Sequence, residues 1–134
     1  MRKIKYIAYA KEYNKIVQVD RLGLNSDGSV QEILFSYREL GEDSDEWTDL
    51  QAGQFSLEEF IGQYDVEGEE IYTGYIVSFT TNIYLRDYVG VVEWSDQASS
   101  YVIRAKDHYD EYFNEINSLK VIGNIYKNKE LLDE

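Results

Sequence analysis

The sequence predicts a β-rich α+β fold, and three observations carry that prediction. Short apolar runs alternate with polar residues and stop at Gly, Asn or Asp clusters, the two-residue period of half-buried strands. Thirteen of the aromatic residues are tyrosines, whose broad amphipathic rings suit a pleated surface with one wet side. One segment near the C-terminal end changes to a helical period. The 134 residues contain no proline, so every turn has to come from Gly, Asn, Asp or Ser.

The elements follow in order. "KIKYIAYA" (3–10), "KIVQVDRLGL" (15–24) and "VQEILFSY" (30–37) alternate as strands and predict an N-terminal antiparallel β meander. "KEYN" joins the first two and "SDGS" the last two, with Asp27-Gly28 suited to a tight hairpin turn. "ELGEDSDEWTDLQAGQ" (39–54) has neither period and predicts an exposed loop. In "SLEEF" (56–60), Ser56 and Glu59 have the spacing of a capping box and predict a short helix. "EIYTGYIVSFTT" (70–81), "VGVVEW" (89–94) and "SYVIRA" (100–105) are predicted strands, the last two a hairpin through "SDQASS". Over 107–120, Tyr109, Tyr112, Phe113 and Ile116 recur at i, i+3, i+4 and i+7, which predicts one amphipathic helix with Asp107 as its N-cap. "KVIGNIY" returns to strand, and Asn128 is placed to cap one helical turn, "KELL", whose Leu131 and Leu132 fold back on the body. The expectation is a single compact domain over 1–134, with an N-terminal β lobe (1–62) and a small barrel-like lobe (63–134).

Composition narrows the chemistry. With no cysteine there is no disulfide, thiolate metal site or cysteine nucleophile, which fits a reducing cytoplasm. No apolar run approaches the roughly 20 residues of a membrane helix, and the amino terminus lacks the pattern of a signal peptide, so a soluble cytoplasmic protein without membrane association is expected. His108 is the single histidine, expected at an exposed or capping position because triads and imidazole metal sites need partners at defined spacing. Phosphate-cradling glycine motifs are absent, and no lysine has an acid two residues before it, as a two-carboxylate nuclease core requires. Glu58/Glu59, Glu69/Glu70 and Asp110/Glu111 are adjacent pairs, but among 26 acids adjacency marks nothing. "DSDEWTD" (43–49) lacks the glycine and terminal glutamate of a calcium loop. No catalytic residue, cofactor or metal is therefore expected, and the chain reads as a non-enzyme.

Charge placement is more informative. The net charge is −13, and residues 39–82 carry twelve acids and no Lys or Arg. Trp47 stands inside this stretch with Asp43, Asp45, Glu46 and Asp49, a candidate interaction surface for a protein partner with basic surroundings. Self-association is compatible with it. The same acids suggest an alternative, imitation of a nucleic-acid backbone. Direct nucleic-acid binding is disfavoured by the net charge, although Lys3, Lys5, Lys11, Lys15, Lys120, Lys127 and Lys129, interleaved with Tyr6, Tyr9, Tyr13 and Tyr126, leave room for a local patch.

Three segments, "MRKIKYIAYAKEYNKI", "EEIYTGYIVSF" and "VIGNIYKNKELL", together resemble the YopX family of phage and prophage proteins. Tyr75 stands where that family often has Asp, and Lys129 where it commonly has Pro. The resemblance implies a phage-encoded protein acting inside a bacterial host and a β-rich fold with a barrel-like carboxyl half. It brings no activity and no catalytic residues to transfer.

Overall fold

The computed structural model describes residues 2–83 and 86–133. Strand makes up 53% of the structure, in antiparallel sheets of which one curls into a half-barrel, and no α-helix occurs among the described residues. The chain divides into two compact units, Lys3–Glu59 and Phe60–Glu134, the latter joined by the first two residues.

In the first unit, β1 (Tyr6–Ala10) lies between β2 (Lys15–Gln18) and the first half of β6 (Phe55–Tyr64). A separate three-stranded meander is formed by β3 (Arg21–Leu24), β4 (Val30–Ser36) and β5 (Trp47–Gln51), with β4 central. Successive residues explain why 15–24 is two strands rather than one. The Val19 N–H donates to the Tyr6 carbonyl, whereas the Asp20 N–H donates to the Leu34 carbonyl, so the chain passes from one sheet to the other within a single residue. The β3–β4 turn works as "SDGS" suggests: Gly28 takes φ +89°, and the Asp27 carboxylate accepts from the Ser29 N–H and hydroxyl. Ala8, Ala10 and Val17 face Ile33, Phe35 and Leu50 across a dry core, with Phe55 and Leu57 of β6 at its margin.

In the second unit, the far half of β6 pairs with β7 (Glu70–Tyr72), and β8 (Tyr75–Thr81), β9 (Tyr88–Ser95), β10 (Ser100–Ala105) and β11 (Ile116–Asn124) form a sheet in the order β10-β9-β8-β11. The β9–β10 hairpin closes at Ser95 and Ser100 as the sequence predicts. Ile61, Ile71, Val77, Phe79, Tyr88, Val92 and Ile103 form its core. Gly90 permits close packing there, because a Cβ would come within 2.7 Å of the Arg104 carbonyl oxygen.

Besides 15–24, which divides between two sheets so that the N-terminal strands do not form one meander, three further elements differ from the prediction. The segment 107–120 is not an amphipathic helix: Asp107 and Ser118 adopt φ +57° and +55°, which no α-helix contains, and from Ile116 the chain pairs along β8. Of the four residues that carry the helical period only Phe113 and Ile116 pack on the core, while Tyr109 and Tyr112 are exposed; a bulge between Asn117 and Lys120 then lets Ile116 and Leu119 both face inward. "SLEEF" is strand, because Ser56, Glu58 and Glu59 pair opposite Tyr9, Ile7 and Tyr6. Within 39–54, Trp47–Gln51 forms β5, since β4 would otherwise leave an unpaired edge beside Ile33 and Phe35.

Two side chains tie β11 into its unit. The buried Asp65 carboxylate takes the Glu67 and Glu69 N–H groups on Oδ1, both at 2.9 Å, and the Val121 N–H on Oδ2 at 3.0 Å. Burial pushes its pKa up, but the three N–H donors and nearby Lys120 outweigh burial and hold the carboxyl below its usual value. At the chain's end, "KELL" is a single 3-10 turn with Leu131 and Leu132 half-buried. Asn128 gives this turn no side-chain cap bond. It lies instead over Gly123, where a Cβ would meet it at 2.6 Å, and accepts from the Asn124 N–H at 3.2 Å.

Because the folded pKa of Asp65 lies below its unfolded value, its stabilisation is complete above the ordinary aspartate range and is lost as pH falls through the lowered folded pKa. Asp65→Asn should cost about 1–3 kcal/mol at neutral pH, with the gap to wild type closing below about pH 4. Urea titrations across that range check this, and a gap independent of pH would contradict it. Truncation after Tyr126 should lower Tm by several degrees, at roughly 4 °C per kcal/mol for a chain of this size, and an unchanged Tm would show that the packing of Leu131 and Leu132 adds no stability.

Candidate functional site

The register of the meander sorts its side chains onto two faces. Leu22, Ile33, Phe35 and Leu50 point to the core, which leaves the rows Gly23–Glu32–Gln51, Arg21–Leu34–Asp49 and Ser36–Trp47 on the outer face. Leu34 is therefore an aliphatic residue in a polar register. Trp47, 59% exposed, turns across β4, and its indole N–H donates to Asp20 Oδ2 at 2.6 Å. Asp20, Arg21, Leu34 and Trp47 enclose a mainly apolar cleft of about 360 Å3.

Asp20 is the acid in the lining, Arg21 stands beside it, and further acids flank β5 in the chain. Asp43 and Asp45 both reach Arg38, at 3.3 and 2.6 Å, and remain almost wholly in solvent, where such pairs contribute little and stay available to other cations. Glu46 is exposed immediately before the strand, and Asp49 lies on the same face as Trp47. Gln51 bridges Asp49 and Glu32 through its Nε2, at 2.8 and 3.0 Å, and Gly23 gives Glu32 room to lie across β3. Of the residues the sequence singles out, Trp47 and Asp49 share the strand, Glu46 adjoins it, and Asp43 and Asp45 belong to the preceding loop around Arg38. Asp20 and Leu34 complete the site and were not singled out. Leu34 was detectable as an apolar residue at a solvent-facing position between two core residues; Asp20 had no local signal.

The other acids of 39–82 do not all join it. Glu39 accepts from the Gln18 N–H at 2.6 Å, Asp65 is the buried anchor of β11, and Glu67 pairs with Lys120 at 3.1 Å. The basic residues are similarly engaged: Lys11 donates to the Gly53 carbonyl and Lys15 to the Leu40 carbonyl.

In the second unit His108 corrects the expectation of an exposed or capping imidazole. Its side chain is 7% exposed, its Nε2 lies 2.8 Å from Glu111 Oε1, and its ring stacks on Tyr88 and Tyr109 at 4.3 and 4.2 Å. A single antiparallel bridge between Ile103 and Glu111 holds the segment. Burial, the stacked tyrosine rings and the Glu111 contact make it part of the packing of this unit. Tyr75, raised to about 12 by burial and by Glu69, Tyr72 and Glu70, keeps its proton throughout the physiological range. Among the described residues no group of three or more His, Cys, Asp or Glu side chains has the geometry to hold a metal ion, and no helix is long and apolar enough to cross a membrane.

The fold has solved counterparts. Protein EF1440 from Enterococcus faecalis is similar with a TM-score of 0.70 at 16% identity, over 98% of this chain and 99% of that one. The protein yopX from Bacillus subtilis is similar with a TM-score of 0.64 at 22% identity, again over 98% and 99% of the two chains. No curated protein matches the sequence. The family model described as YopX protein matches residues 5–133, nearly the whole chain, and so the chain belongs to the YopX family.

Proposed function

We propose that the chain is a phage accessory protein that works inside the bacterial cell without catalysis, by binding another protein at the outer face of β3, β4 and β5. The observation that carries this reading is the Trp47 cleft: a large exposed aromatic and Leu34 line a mainly apolar hollow, with Asp20 in its wall and Asp49 on the same face. Aromatic anchors in apolar hollows supply most of the affinity of protein interfaces, while a charged rim steers and selects the partner. The rim selects basic surroundings. Imitation of a nucleic-acid backbone is less well supported, because Glu39 and Asp65 hold backbone N–H groups of the fold itself and Asp43 and Asp45 share one guanidinium.

The test is affinity capture from a bacterial lysate, with and without phage proteins, comparing wild type and Trp47→Ala. Trp47 is exposed, so the substitution should leave Tm within a degree or two. A bound partner should lose roughly 30-fold or more in affinity, the effect of removing an anchor worth about 2 kcal/mol. Equal retention by the two proteins would refute this docking face.

A further inference from the structure

We infer that the partner docks as an extended basic segment added to the free edge of β5, reading Trp47 and Asp49 at alternate positions. This rests on the reading of the Trp47 face as a protein-binding surface and specifies how the partner is recognised.

Backbone direction carries the inference. β5 is the outermost strand of its sheet. The Tyr37 N–H donates to the Glu46 carbonyl and the Ala52 N–H to the Gln31 carbonyl, and these contacts set which residues of β5 bond inward. By alternation Thr48 and Leu50 direct their N–H and C=O groups at β4, opposite Phe35 and Ile33, and Trp47, Asp49 and Gln51 direct theirs at the open edge. The Gln51 N–H is already taken by Gln54 Oε1 at 2.8 Å, which stops an added strand at that end. What remains is a short template of two residues, Trp47 and Asp49, whose side chains both lie on the outer face. Trp47 leans away from the edge, toward Asp20, so the indole does not cover the strand's own backbone.

Charge complementarity chooses the occupant. The edge and its surroundings carry Glu46, Asp49, Asp43 and Asp45, so a second copy of this chain, itself −13, would set acids against acids. A basic strand sets opposite charges together. For an antiparallel addition the preferred order is Lys or Arg opposite Asp49, a β-branched residue opposite Thr48 at the core margin, then an aliphatic residue packing beside Trp47.

The probe is an acetylated, amidated peptide, Thr-Thr-Arg-Val-Leu-Thr-Thr, titrated into the full 15N-labelled chain. Binding should shift and protect from exchange the Trp47 and Asp49 amides while leaving Thr48 and Leu50, already bonded to β4, unchanged in protection. N-methylation of the Arg or Leu nitrogen removes a donor aimed at β5 and should weaken binding about tenfold, the worth of one such bond. N-methylation of the Val nitrogen, which points away from β5, should have little effect. Equal binding by all three methylated peptides would overturn strand addition while leaving Trp47 as a docking surface. Absence of binding at millimolar peptide would also overturn it, and the Trp47→Ala capture experiment judges the docking face independently.

Discussion

Much of the second unit depends on one carboxylate. Asp65 gathers three backbone N–H groups, two from its own turn and one from Val121, a residue 56 positions later. Locally it shapes the turn that launches β7; at long range it holds β11 in extended form beside that turn. The Val66 N–H donates to the Leu119 carbonyl alongside it, which gives the bulged middle of β11 a second tie to the same turn. An ionised carboxylate suits this task because it accepts several bonds at once and, when they are made, its buried charge is compensated. The same turn carries Gly68 at φ +82°, the left-handed position that closes it.

That long-range tie also explains what local pattern could and could not reveal. Strands bounded by clear turns were legible, including the β3–β4 and β9–β10 hairpins, because alternation and turn chemistry are local properties. The segment 107–120 was misread for a physical reason: periodicity records the spacing of apolar residues and not their burial, and of Tyr109, Tyr112, Phe113 and Ile116 only Phe113 and Ile116 pack on the core, while the two tyrosines are exposed ahead of β11. Nothing near Ile116 announces that β8 needs a partner or that Asp65 will bind Val121. "SLEEF" was misread similarly, since a capping-box spacing is cheap to match by chance and pairing with β1 overrides it. Within 39–54 the acids obscured β5, whose alternation is legible only once β4 is known to face the core. The candidate site divides in the same way. Trp47 and its acidic neighbours stood out in sequence, but the Asp20 contact joins residues 27 apart and exists only through the fold.

The family signature acquires a structural meaning. Gly74 in "IYTGYIV" accepts a φ of +81°, donates its N–H to the Val92 carbonyl and receives the Ile125 N–H on its own carbonyl at 2.9 Å. Asn124 pairs opposite Tyr75, and its Oδ1 accepts from the Tyr126 and Lys127 N–H groups, while Asn128 covers Gly123. Two of the three resembling segments thus meet at one junction. Their pattern in this chain closes a sheet, and Trp47 belongs to the other compact unit, in a stretch that the resembling segments do not include.

The bond from the Trp47 indole to Asp20 has a thermodynamic consequence. A free exposed tryptophan samples several rotamers, and freezing such a side chain in an interface costs about 0.5–1.5 kcal/mol. Here the ring is held across β4 before any partner arrives, so that loss of freedom has already occurred during folding. Any association at this ring would therefore carry a smaller entropy cost on this side than one that had to fix a free tryptophan.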